Sequence, residues 1–275
     1  MKYLGEFKQI DTEEKAYFLG QAFGDGYNCA EKHYKFSMAS INTDIEMYKK
    51  LHNLFPFLKL KFYNSHKNMV YLNCHFKDVC KDLQALGLQS NKTIYDKTGE
   101  FHFPQLSEEM LPHFIRGFFD ADGSAWYPKR YRSRNNLHIE ISLSTPNFLH
   151  KLKEILDNQG IHFNYYEREK KASNGKYYKS YCLLSSDYNT SIRFADYIYK
   201  NATIYLNRKY DLCYREKVDI LEKDYGTCPI CGSNDIIQNG IRHTKHGIMQ
   251  RYKCHNCRKN FQNALLTSNC KVTNS

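Results

Sequence analysis

The chain has 275 residues, 41% of them apolar, and a formal net charge of +11 at neutral pH. That length allows a duplicated domain plus a small module, and the charge points to a polyanionic partner. With no run of eighteen apolar residues to span a membrane and no apolar stretch in the opening MKYLGEFKQID to act as a signal, an intracellular protein is expected, in the cytoplasm or nucleoid, or in an organelle if encoded there.

Asp11 and Glu14 stand in capping-box spacing at the start of an apolar helix that runs to about Gly24. A strand is expected at 34–41, then a helix from Thr43 or Asp44 to Phe55. Strands at 58–63 and 70–76 precede a short helix at 77–86, ended by Gly87. Residues 91–105 read as a linker. The next helix ends near Ala121. Leu137–Ser144 then alternates His138, Glu140 and Ser142 with Ile139, Ile141 and Leu143, the pattern of a half-buried strand. Thr145-Pro146 opens a helix that ends at Gly160. Strands at 162–169 and 176–184 flank the turn signal Ser173-Asn174-Gly175, and helices at 189–200 and 209–222 close the series. The order read for each half is α-β-β-α-β-β-α, an α+β class, with one of the two opening strands in each half given no bounds. The expected divisions are a first repeat at 1–90, the linker, a second repeat at 106–222, a metal module at 226–262 and a disordered tail at 263–275.

Each repeat opens on the same device. Residues 18–26 read FLGQAFGDG and residues 115–123 read IRGFFDADG. Gly20 and Gly24, and likewise Gly117 and Ala121, are four apart and share one helical face. Small residues there let two helix backbones approach and pair. Asp25 and Asp122, 97 positions apart, would then emerge side by side. Two neighbouring carboxylates repel and are desolvated, and a hard divalent cation, Mg²⁺ or Mn²⁺, offsets both costs. With phosphate oxygens completing its shell, such an ion can polarise a phosphodiester, activate water and stabilise the leaving oxygen. The bland alternative is a pair of packed helices ending in Asp-Gly turns, and a second copy of the motif weakens it.

These residues resemble the LAGLIDADG homing endonucleases in their single-chain, two-repeat form. The resemblance covers roughly 12–222. The second motif is a close match; the first carries Phe23 where the pattern often has its first Asp. The acid before the final Gly is kept in both, as Asp25 and Asp122. The resemblance implies two saddle-shaped antiparallel sheets over double-stranded DNA. It also implies divalent-metal cleavage of both strands across the minor groove, leaving cohesive 3′ ends. It assigns Asp25 and Asp122 as catalytic, with Gly24 and Ala121 beside them as metal ligands. Lysines late in each repeat, Lys92 in Asn91-Lys92-Thr93 and Lys209 in Asn207-Arg208-Lys209-Tyr210, are the implied solvent-organising or charge-stabilising residues, with Lys200 as a competitor. A monomer with internal pseudo-twofold symmetry follows. Gln21 and Arg116 differ between the copies, so the half-sites need not be chemically equal, and the stronger second motif with its basic hairpin makes a long asymmetric target the expectation. The alternative is a non-cleaving DNA-binding regulator or intron maturase built on the same repeat.

Basic residues interleaved with aromatics mark the expected DNA contacts, with cations on phosphates and Arg or Asn on base edges. Lys129, Arg130, Arg132 and Arg134 follow the second acid. Arg168, Lys170, Lys171, Lys176 and Lys179 lie on the hairpin after it. Lys59, Lys61, His66 and Lys67 are a weaker counterpart in the first half.

Residues 226–275 hold seven Lys or Arg against one Asp, so this segment carries +6 of the net charge. Cys228-x-x-Cys231 and Cys254-x-x-Cys257 are separated by 22 residues, strong spacing for a Cys₄ zinc ribbon with a structural, closed zinc. His243, His246 and His255 are weaker candidates. The arrangement resembles zinc ribbons of some insertion-sequence transposases. A transposase reading rests on the ribbon alone, with no three-acid nuclease domain beside it. The ribbon's charge favours DNA contact over protein docking.

Overall fold

Helix α1 (Glu13–Asp25) begins at Thr12, whose side chain accepts from the Lys15 N–H at 3.4 Å. Asp11, expected as part of the cap, instead pairs with the Lys15 ammonium at 2.6 Å. The computed structural model describes residues 2–63, 68–90, 101–128, 136–171, 175, 177–215, 227–244 and 247–262. The chain divides into two compact units, Met1–Val218 and Asp219–Ser275.

In the larger unit α1 is followed by β1 (Gly26–Cys29), β2 (Lys35–Ile41), α2 (Ile45–Leu54), β3 (Lys59–Tyr63), β4 (Met69–Cys74) and α3 (Lys77–Ala85). The series then repeats as α4 (Leu111–Asp122), β5 (Gly123–Trp126), β6 (His138–Leu143), α5 (Pro146–Asn158), β7 (Asn164–Lys171), β8 (Tyr177–Ser185), α6 (Tyr188–Tyr199) and α7 (Asn207–Cys213). Two four-stranded antiparallel sheets result, with matching orders β1-β2-β4-β3 and β5-β6-β8-β7. The αββαββα order and α+β class are thus present in both halves. Sequence pattern does not locate β1 and β5, because strands of four residues are too short to display alternation. They run on directly from the two acids. Of the helix expected at 209–222, the described part is α7, and 216–222 lie outside the described residues.

Each sheet buries one face. In the first, Phe36 and Met38 of β2 and Val70, Leu72 and Cys74 of β4 point into the core. In the second, Ile139 and Ile141 of β6 and Leu183 of β8 do the same. The expected linker region is not all spacer: Phe101 stacks on Phe148 at 5.3 Å and reaches Phe23 at 5.6 Å.

The halves meet along α1 and α4. A Cβ added to Gly20 would fall 2.1 Å from the carbonyl oxygen of Phe114, and one added to Gly117 would fall 2.0 Å from that of Tyr17. The contact is reciprocal, since positions 20 and 117, and 17 and 114, share one offset of 97. At the acidic end a Cβ on Gly24 would meet Ala121 Cβ at 2.4 Å. Gly26 and Gly123 have extended backbones, with φ of −78° and −75°. They are glycine for lack of space: an added Cβ would sit 2.3 Å from the Ala22 oxygen and 2.1 Å from Phe119 Cδ2, respectively.

The smaller unit is a three-stranded sheet, β11-β10-β9, of β9 (Ile236–Thr244), β10 (Gly247–Cys254) and β11 (Asn260–Gln262). Its buried cluster is small: Cys228, Ile236, Tyr252 and Cys254, with Cys257 and Phe261 against it.

Because the obstructing atoms are backbone, neither glycine of the helix contact can take a methyl group without separating the helices. Gly20→Ala and Gly117→Ala are each expected to destabilise the larger unit by at least the ~1–3 kcal/mol typical of overpacking. The measurement is the urea unfolding midpoint. An unchanged midpoint would contradict the packing described.

Candidate functional site

The paired helices deliver Asp25 and Asp122 to the same end, each as the last helical residue before a strand. Both side chains are exposed. The Asp122 carboxylate lies against the last turn of α1, its Oδ2 3.4 Å from where a Cβ on Gly24 would stand. The charges of Asp122 and Asp25 also bear on one ammonium, that of Lys209. Among the described residues, the only group of three or more His, Cys, Asp or Glu placed to share a metal is the four cysteines. The acidic end therefore brings together two exposed carboxylates, the hard oxygen donors that divalent cations take.

Beneath this end lies a polar network that local pattern does not reveal. Asp120, only 2% exposed, accepts from Tyr17 Oη at 2.9 Å, Tyr199 Oη at 2.5 Å and the Leu206 N–H at 2.8 Å. Burial pushes its carboxyl pKa up, opposed by these donors and by the Lys209 charge. Lys209 is itself 5% exposed, and its ammonium donates to the carbonyls of Phe119, Asp120 and Gly123 at 2.6, 2.8 and 2.5 Å. All three of its donors are spent on the C-terminus of α4, where a cation also opposes the helix dipole. The resemblance implies a solvent-organising or charge-stabilising role for this lysine. In the structure its ammonium lies in the floor of the acidic end, where the charges of Asp25 and Asp122 bear on it. Lys200, its competitor, is an exposed residue after α6.

Arg116, also buried, ties the same elements together. It donates to the carbonyls of Ile204 and Ile198 at 2.8 and 2.7 Å and to Glu13 Oε1 at 2.6 Å. Gln21, whose equivalent by the offset of 97 is Phe118, is buried and donates to Tyr17 Oη at 3.2 Å. Asp44 stands at the N-cap of α2, but its side chain makes no cap hydrogen bond to the helix. Arg208 grips it with two bonds of 2.9 and 3.1 Å, joining the halves a second time.

Pleat and register decide which cations share a face. On the first sheet the face away from the core carries Lys35 and Ser37 of β2, Lys61 of β3, and Met69, Tyr71 and Asn73 of β4. With His75 these residues line a shallow depression. Lys59, opposite Asn73, belongs to the same face. On the second sheet the corresponding face carries Trp126, His138, Glu140, Ser142, Arg168 and Lys170. Arg168 is held there by Glu140 at 3.1 Å. Lys171 and Lys179 fall on the other side of the hairpin, where Lys179 pairs with Glu167 at 2.6 Å. The hairpin cations thus form two sets. Among the described residues, the first sheet's open face holds three lysines and no carboxylate, so it is the more basic of the two. Lys35 and His75 were not singled out in the sequence; the alternation Lys35-Phe36-Ser37-Met38 is the signal that places Lys35. Lys92, Lys129, Arg130, Arg132, Arg134 and Lys176, with His66, Lys67 and His246, lie outside the described residues.

In the smaller unit the sulfurs of Cys228, Cys231, Cys254 and Cys257 all lie within 4.8 Å of one another. Cys228 and Cys257 Sγ are 3.7 Å apart, and Cys231 and Cys254 Sγ 3.6 Å. Four thiolates ~2.3 Å from a tetrahedral zinc would stand at about these separations, so the donor set fits the ion. The Cys257 backbone N–H draws the Cys254 thiol down to about 7, toward the thiolate a metal needs. Arg258, with φ of +61°, completes the turn after the second pair.

A family profile described as LAGLIDADG-like domain matches residues 109–210, the half with the closer copy of the motif. No curated protein matches the chain. Solved structures similar to it include the LAGLIDADG homing endonuclease I-GzeII in complex with its DNA target, at 12% identity and TM-score 0.47, over 74% of this chain and 88% of that one. The homing endonuclease I-WcaI bound to its DNA recognition sequence is 16% identical, with TM-score 0.44, over 77% and 92%. The N-terminal LAGLIDADG domain of DUF199/WhiA is 14% identical, with TM-score 0.44, over 76% and 97%.

Burial lowers the Lys209 pKa from the ordinary 10.5 to about 8. Between those values the unfolded chain still holds a proton that the folded chain has released, so this group's contribution to stability rises with pH across the window and is flat below it. Relative to Lys209→Met, the unfolding free energy of the unaltered protein is expected to climb from pH 8 to 10.5 in denaturant titrations. A parallel pH dependence in both proteins would contradict the buried, charged lysine.

A cluster as small as that of the ribbon cannot fold on apolar burial, and zinc binding supplies on the order of 10 kcal/mol in such modules. Chelation is expected to release one zinc per chain and unfold the smaller unit while the larger keeps its helical circular dichroism. Metal analysis that finds no zinc would remove the assignment.

Proposed function

We propose that the larger unit is a site-specific double-stranded DNA endonuclease of the LAGLIDADG homing type. In this reading it hydrolyses one phosphodiester in each strand and leaves cohesive 3′ ends. The observation that carries this reading is the pair of acids brought to one end of two helices in direct backbone contact, with a sheet running on from each acid. The family match over 109–210 supports it, as does the basic open face of the first sheet. A pseudo-twofold arrangement suits a duplex, whose two scissile phosphates are themselves related by a local twofold.

In this reading Asp25 and Asp122, with the backbone oxygens of Gly24 and Ala121, hold Mg²⁺ or Mn²⁺. The bound ion supplies charge stabilisation at the phosphate and lowers the pKa of attacking water. The chain's own part is to hold the two carboxylates at fixed separation. Lys209 acts by fixing the end of α4, and Lys35, Lys59, Lys61, Arg168 and Lys170 engage the duplex. The unequal faces favour a long asymmetric target and a monomer acting on it. Zinc in the ribbon is structural, and the ribbon's basic charge adds a second DNA contact.

One observation favours the alternative, a non-cleaving regulator or maturase: the lysine that the resemblance makes catalytic is spent on backbone carbonyls. Duplexes selected from a random library for binding and for cleavage in Mg²⁺ separate the two readings. Asp25→Asn and Asp122→Asn are each expected to lower double-strand cleavage by at least ~100-fold, as for loss of a principal charge-stabilising group, with binding largely retained. Full cutting by both variants would refute the assigned centre. Binding without cutting by the unaltered protein would establish the alternative.

A further inference from the structure

The pseudo-twofold axis pairs Tyr17 with Phe114 and Phe23 with Asp120, each by the same offset of 97. The two equivalent slots are filled by different chemistry. In one, Tyr17 Oη donates to Asp120 Oδ2 at 2.9 Å. In the other, the Phe114 ring meets Phe23 edge-on at 5.3 Å and 80°. Phe23 shows that an apolar ring can fill this position in a paired helix. Asp120 does the same packing job at the cost of burying a carboxylate, which three hydrogen bonds must offset.

What the carboxylate adds is a link to distant chain. Tyr199 ends α6 and Leu206 lies just before α7. Both donate to Asp120, two residues before Asp122. The same segment sends Lys209 to the carbonyls of Phe119, Asp120 and Gly123, which bracket Asp122. Residues 199–209 therefore hold the last turn of α4 by side-chain and backbone bonds together. At the matching turn of α1, position 23 offers a ring packed against Phe101, Phe114 and Phe148.

We infer that Asp120 is a positioning residue for Asp122 alone, holding the acidic end of α4 through Tyr17, Tyr199 and the Leu206 N–H, and that cleavage of one DNA strand depends on it more than cleavage of the other. The second clause rests on the endonuclease reading; the first does not. The network does not touch the reacting atoms. It sets where the Asp122 carboxylate stands, while Phe23, the equivalent of Asp120 on α1, is held by ring packing.

The test uses full-length Asp120→Asn and Tyr199→Phe, the latter losing a single donor so that a folded variant is in hand. Amide hydrogen exchange is followed in residues 119–126 and 22–29. Exchange is expected to accelerate roughly tenfold in the first segment, the equivalent of one hydrogen bond to a charged group, and to stay unchanged in the second. With a duplex recovered by cleavage selection and labelled differently on each strand, both variants are expected to accumulate nicked product. The same strand should remain uncut in each, its rate down roughly tenfold, with unchanged duplex affinity. Equal acceleration in both segments, or equal slowing of both strands, would reduce Asp120 to a general stabiliser and overturn the inference. If the unaltered protein binds but cuts nothing, the endonuclease reading and the strand clause fail together, and hydrogen exchange alone decides the positioning role.

Discussion

Two helix backbones touch at Gly20 and Gly117, and the rest of the larger unit is arranged around that contact. The carbonyls of Tyr17 and Phe114 occupy the space where side chains would begin. Helices normally meet through interleaved side chains, and the separation those chains impose would move the Tyr17 hydroxyl away from Asp120 and Glu13 away from Arg116. The two acids share one end only because the axes are this close. The methyl of Ala121 against Gly24 marks how little room remains there.

Close backbone contact solves a geometric problem and leaves an electrostatic one. Helix C-termini carry partial negative charge, and here two of them meet with an acid on each. On α4 the response is Lys209, buried beneath the turn and bonded to three carbonyls. The Asp120 carboxylate gains the same ammonium as a partner, which is part of what makes its burial tolerable. Glu13 adds a further tie by accepting from the N–H groups of Thr203 and Ile204. The segment between α6 and α7 is thus fixed to both central helices, and with it Arg208, which reaches Asp44 in the other half.

The sheets and the ribbon follow simpler rules. Each sheet's pleat sends alternate residues to the core and to the open face, so a cation's side is a matter of parity. Arg168 and Lys170 share one face, and Lys179 takes the other beside Glu167. The ribbon has too little apolar surface for a core of its own, and its fold is organised by four sulfurs in place of side-chain packing.

Much of this was legible in the chain itself. The repeated motif, the helices and strands other than β1 and β5, the two acids and the four cysteines are all written within short windows, because helical and strand periodicity and metal-ligand spacing are local properties. The starts of helices are less legible: Asp11 looks like a cap yet pairs with Lys15 while Thr12 caps α1, and Asp44, at the N-cap of α2, spends its side chain on Arg208. The roles of Lys209 and Asp120 are not legible in the sequence, since their partners lie 79 to 103 positions away. A lysine in sequence is a charge of unknown address. The sequence alone determined that two acidic helix ends exist and that their halves are unequal. Only the tertiary structure decided that one end is braced by a buried polar network and its counterpart slot is filled by phenylalanine rings, because that depends on which distant donors the folded backbone brings within hydrogen-bonding reach.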